Sequence, residues 1–95
     1  MPSPLTPADL HPHLAARMAQ RGVAFEEIEE TLNQGWMASD AKPGVLGKVM
    51  VFPFDREWQG NMYAEKEVTV YYKQAGERVV LLTVKARYGN KFPRG

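Results

Sequence analysis

The sequence predicts an α+β domain: an N-terminal helical hairpin packed on one face of a four-stranded antiparallel sheet, in the order α-α-β-β-β-β. Three observations lead there. Apolar residues recur at helical spacing as far as Gly35. Beyond it they alternate or run continuously, as strands do. The chain has 95 residues, 44% of them hydrophobic, which suits one core and little more.

Residues 1–10 hold three of the seven prolines and read as a flexible arm. Thr6-Pro7-Ala8-Asp9 has the form of a helix start, but Pro12 would clash inside such a helix. The first helix is therefore expected over Pro12–Arg21, with Leu14 and Met18 one turn apart on its inner face. Gly22 is expected to end it in a left-handed conformation. A second helix is expected over Ala24–Gln34, with Phe25, Ile28 and Leu32 as its apolar stripe. Glu26, Glu27, Glu29 and Glu30 crowd its start, where negative charge suits the helix dipole. Ala24 stands where a capping Ser, Thr or Asp is usual. Gly35 is the stop, and the two helices are expected to form a tight hairpin.

Trp36–Ser39 reads as a short strand and Lys42-Pro43-Gly44 as a turn. Val45–Phe54 is a strand that Pro53 assigns to an edge or an end. Asp55–Tyr63 reads as an irregular loop with a turn at Gly60-Asn61. Lys66–Lys73 and Arg78–Arg87 are the clearest strands, joined through Gln74–Glu77. An even closure about Ala75-Gly76 sets Tyr72 opposite Val79, Val70 opposite Leu81 and Val68 opposite Thr83. The division expected is an arm over 1–10, a single domain over 11–88 and a basic tail over 89–95.

Composition excludes many chemistries. There is no cysteine, hence no disulfide, thiolate metal site or thiol nucleophile. The two histidines both lie near the N-terminus, which leaves no His-rich metal cage. No Gly-rich phosphate loop, serine elbow or HExxH element occurs, so neither cofactor nor metal is expected. No apolar run approaches the ~20 residues that cross a bilayer. With no secretory or lipidation signal at the ends, a cytoplasmic, membrane-free protein is expected.

The net charge of +1 hides an asymmetry. Residues 1–35 hold two arginines against Asp9 and four glutamates, whereas residues 36–95 hold ten Lys or Arg against six acids. Beyond Thr83 only basic charges follow: Lys85, Arg87, Lys91 and Arg94. Flanked by Tyr88 and Phe92, they suit a phosphate backbone and a stacked base. They equally suit a solubilising chain end. His13, Arg17 and Arg21 share one helix face at spacings of four. An imidazole can move a proton and guanidiniums can hold phosphate oxygens. The competing reading pairs Arg17 and Arg21 with Glu26, Glu29 or Glu30. Thr69, Tyr71 and Thr83 add hydroxyls to the strand pair. Trp36, just after a helix stop, is expected in the core, and Trp58, in a polar stretch, as an exposed contact.

The segment from His13 through Arg17-Met18 and Arg21-Gly22-Val23, followed by Glu26-Glu27-Ile28-Glu29 and Leu32, resembles domain-of-unknown-function family 4258. Val80-Leu81-Leu82-Thr83-Val84 is similar to that family's last strand, and Val68–Tyr72 sits where its partner strand lies. The resemblance implies a small domain similar to RelE-like toxins and to barnase-like and colicin-like ribonucleases. On that reading the chain is a metal-independent endoribonuclease acting on free or ribosome-bound RNA, neutralised by a cognate antitoxin. His13 would be the general acid or base, with Arg17, Arg21 and Thr83 beside it. Tyr71, Lys85, Arg87, Tyr88 and Lys91 would hold substrate. The alternative is a non-catalytic domain of the same shape that binds nucleic acid or a protein. A further alternative is an accessory protein that pairs through the edge strand around Val45–Phe54.

Overall fold

Pro12 opens helix α1 (Pro12–Arg21), at the position where its missing N–H costs nothing. Gly22 ends it at φ +70. The Val23 N–H donates to the Met18 carbonyl at 2.9 Å and the Gly22 N–H to the Ala19 carbonyl at 3.4 Å, a Schellman closure. The computed structural model describes residues 12–94; the expected arm over 1–10 lies outside them.

Helix α2 (Phe25–Gln34) begins without a capping side chain. Glu27 makes up half of the loss, its carboxylate accepting from the Ala24 N–H at 2.8 Å. Its last turn closes with the Gly35 N–H donating to the Thr31 carbonyl at 2.9 Å. Gly35 is extended rather than left-handed. It is small for another reason: a Cβ there would stand 2.5 Å from the Val49 carbonyl oxygen.

Four antiparallel strands follow, β1 (Trp36–Met37), β2 (Leu46–Trp58), β3 (Asn61–Ala75) and β4 (Arg78–Gly89), in the order β1-β2-β3-β4. The fold is α+β, as the periodicity predicts. The two helices follow one another across Gly22–Ala24 and pack on the same face of the sheet, as expected. α1 takes its main contact from β4, and α2 from β2 and β3. Leu14, Val23, Ile28 and Leu32 close the core over Val68, Val70, Tyr72, Leu81 and Val84. Each such aliphatic side chain contributes roughly 1.5–3 kcal/mol when fully buried.

Two expectations about the strands fail. Asp55–Tyr63 is not an irregular loop. β2 runs through it to Trp58 across a bulge between Pro53 and Arg56, where Asp55 takes φ +47, and turns at Gln59-Gly60, both at positive φ. The strand persists because Phe54 and Trp58 pack on Tyr88, with ring centroids 5.1 and 4.7 Å from its own. Trp58 is thus half-buried and stacked, not an exposed contact.

The second failure is the β3–β4 register. The hairpin turns at Gly76-Glu77, and Tyr72 pairs with Leu81. Tyr71 then pairs with Thr83, so Leu82 is an extra residue with no partner. Beyond it Val70 pairs with Val84 and Val68 with Ala86. One bulge therefore inverts the strand: Val84 joins the core, and Thr83, Lys85 and Arg87 move to the face away from the helices.

Candidate functional site

Residues opposite one another on antiparallel strands share a face. On β3, Lys66, Val68, Val70 and Tyr72 point to the helices, and Glu67, Thr69 and Tyr71 point away. Lys66, buried at 2% exposure, joins sheet to helices by donating to the Gly22 carbonyl and, at 2.7 Å, to Glu27.

The face away from the helices carries a groove of about 650 Å³. Trp36 and the segment that follows it form one wall, Thr69 and Glu67 the floor, and Lys85 and Arg87 the β4 side. Arg21, from the end of α1, and Arg94, from the segment after β4, line it too. Trp36 is half-buried here, rather than in the core beneath the helices.

Asp40 organises one end. Its two oxygens accept from the Tyr71 hydroxyl and the Lys85 ammonium, each at 2.9 Å. These bonds, that from Lys85 first, hold its carboxyl below the usual aspartate range. Lys85 is raised by its contacts with Tyr71 and Asp40. Burial raises the Tyr71 phenol. The Tyr71 ring is buried although it faces away from the core, because Gly47 opposite leaves it room beside Ala38.

At the middle of the groove Arg87 donates to Glu67 at 2.7 Å, and its guanidinium lies over the Phe92 ring. At the far end Glu65 accepts from the Phe92 N–H at 2.8 Å and from Arg94 at 2.7 Å. The segment expected as a basic tail is thereby drawn onto the open face. Lys85, Arg87 and Arg94 each meet one carboxylate, in geometry that a phosphate oxygen could replace.

The structure brings Arg21, Lys85 and Arg87 to this groove. Tyr71 and Thr83 lie at its end, where they line a smaller cavity with Lys85. His13 is exposed on the first turn of α1, Arg17 is half-buried on the same helix, and neither lines the groove. The Leu82 bulge sets Thr83, Lys85 and Arg87 on the face away from the helices. Among the described residues no ion pair joins Arg17 or Arg21 to Glu26, Glu29 or Glu30.

Tyr88 is on the helix side. Its hydroxyl donates to the Arg21 carbonyl at 2.6 Å, its ring stacks on Trp58, and burial and the charge of Glu27 push it up to about 12. Lys91 is exposed beyond β4. Sequence reasoning named Arg94 among the basic charges beyond Thr83 but missed Asp40 and Glu67, which also line the groove. The only local signal was an acid in the turn-rich run after Trp36.

Among the described residues no three His, Asp or Glu side chains converge as metal ligands, and no helix is long and apolar enough to cross a membrane. The chain matches no protein-family model, no curated protein and no solved structure.

Proposed function

We propose that the chain binds single-stranded RNA across the open face of its sheet. The observation that carries this reading is the convergence of Arg21, Lys85, Arg87 and Arg94 on one groove, beside Trp36 and Thr69. Cations that track a backbone, next to an aromatic that can stack a base, are the usual means of holding a flexible single strand. Glu67 and Asp40 serve as internal stand-ins for phosphate when the groove is unoccupied by RNA. An acidic partner protein would compete for the same surface.

Metal-independent RNA cleavage, as implied by the resemblance to small ribonuclease toxins, is the second reading. Arg21 favours it, being a motif arginine that lines the groove. In that reading His13 lies apart from the bound phosphates, and the groove cations carry most of the transition-state charge.

Fluorescence anisotropy with a labelled single-stranded RNA tests the proposal. Lys85→Ala, Arg87→Ala and Arg21→Ala should each weaken binding and lower the salt slope by about 1. His13→Ala should bind as the wild type does. Absence of RNA binding by the wild type, or equal loss in His13→Ala, overturns the proposal. Gel analysis of the same RNA after incubation tests the second reading.

A further inference from the structure

The groove has a neighbour. A cavity of about 350 Å³ is lined by Asp40, Lys42, Val45, Tyr71, Leu82, Thr83 and Lys85. It shares Asp40 and Lys85 with the larger groove, so the ion pair between them is the ridge separating the two.

Its walls differ in chemistry from the groove. Val45, Leu82 and the Tyr71 ring are apolar surface, and Thr83 and Asp40 supply a hydroxyl and a carboxylate. Leu82 belongs there because it is the bulge residue, left without a partner on β3. Bulges of this kind commonly re-aim side chains beside binding sites. Lys42 and Lys85 add cations to the lining, Lys85 being paired with Asp40. A small, mainly apolar cavity with few polar groups and two lysines in its lining suits a flat, weakly polar ring attached to an anion.

We infer that this cavity is a nucleobase subsite, receiving one base of the strand whose phosphate lies on Lys85. The inference rests on the RNA-binding reading and names the part of the ligand that this end of the site takes. The base would lie against Val45 and Leu82, both half-buried. Thr83, which can donate or accept, and Asp40, which accepts, would meet its polar edge. The neighbouring phosphate would replace one oxygen of Asp40 on Lys85.

Two measurements decide it. In methyl and amide NMR, cytidine and adenosine monophosphates should shift Val45, Leu82 and Thr83 in a saturable way. Ribose 5-phosphate and inorganic phosphate should leave those three residues in place. In anisotropy, Leu82→Gln should bind single-stranded RNA about five- to tenfold more weakly than the wild type, the scale of losing one apolar contact with the base. A circular-dichroism spectrum and melting curve like the wild type's would show that this variant folds. Should the variant unfold, Val45→Gln, also in the lining, is the substitute, with the same loss expected. Nucleotides that perturb no more than ribose 5-phosphate, with RNA binding unchanged in the folded variant, overturn the subsite and leave the RNA reading standing. Wild-type protein that binds no RNA overturns both.

Discussion

Lys85 reaches across the end of the groove to Asp40, 2.9 Å away, and so ties β4 to the segment following β1, 45 residues earlier in the chain. Tyr71 completes the tie from β3. Lys85, proposed above to hold a phosphate, is therefore also a fastener of the wall.

The titration of Asp40 reports on this tie. A carboxyl whose folded value is lowered contributes stability above its unfolded value, lost as pH falls through the folded one. Asp40 should therefore titrate below the ordinary aspartate range, by carboxyl-carbon NMR. In Lys85→Ala its midpoint should rise toward the ordinary value. An unchanged midpoint would mean the pair does not form in solution.

Glu67 competes with any anion for Arg87, through a contact of 2.7 Å. Glu67→Gln should tighten RNA binding roughly two- to fivefold, the scale of releasing one exposed ion pair. Anisotropy at fixed salt checks it, and weaker binding would mean that Glu67 positions Arg87 rather than masking it.

Gly22 carries two demands at once. Its φ is +70, and a Cβ would stand 2.6 Å from the Trp58 ring. Gly22→Ala should cost about 2–4 kcal/mol in urea unfolding, combining left-handed strain with the clash. Gly44 has positive φ but open space around it, so Gly44→Ala should cost only about 1–2 kcal/mol.

Lys66 is buried against Glu27 and the Gly22 carbonyl. Lys66→Met strands a partly covered carboxylate and a carbonyl, and should cost about 2–4 kcal/mol. Adding Glu27→Gln should recover part of that loss, which a double-mutant cycle in urea would measure.

Deleting Leu82 should be far worse than altering it. Without the extra residue Lys85 and Arg87 would face the core and Val84 would face solvent. The deletion should abolish cooperative thermal unfolding, whereas Leu82→Ala, at a half-buried position, should keep it.

Much of the fold was legible in the sequence because its causes are local. Leu14 and Met18 set the inner face of α1, Gly22 its end, and Ile28 and Leu32 the inner face of α2. Those signals act within one or two turns. The bulges at Asp55 and Leu82 do not announce themselves, since no residue there is one that only a bulge accepts. Alternation read through Arg78–Arg87 gives the correct face as far as Leu81 and the wrong one afterwards. The site followed the same division. Lys85 and Arg87 stood out as charges, but their common face depended on the bulge. Asp40 is joined to them only through tertiary structure, so nothing within reach of it in the chain pointed there.

Gly35 gives the helices a purchase on the groove. Because it has no side chain, the end of α2 rests directly on the β2 backbone at Val49, a residue that also lines the groove, and the chain passes at once into Trp36 of the wall. The packing beneath α2 is thus separated from the groove lining by a single backbone contact. Changes at Ile28 or Leu32, on the opposite side of the sheet, have a short route to the groove through Gly35 and Val49.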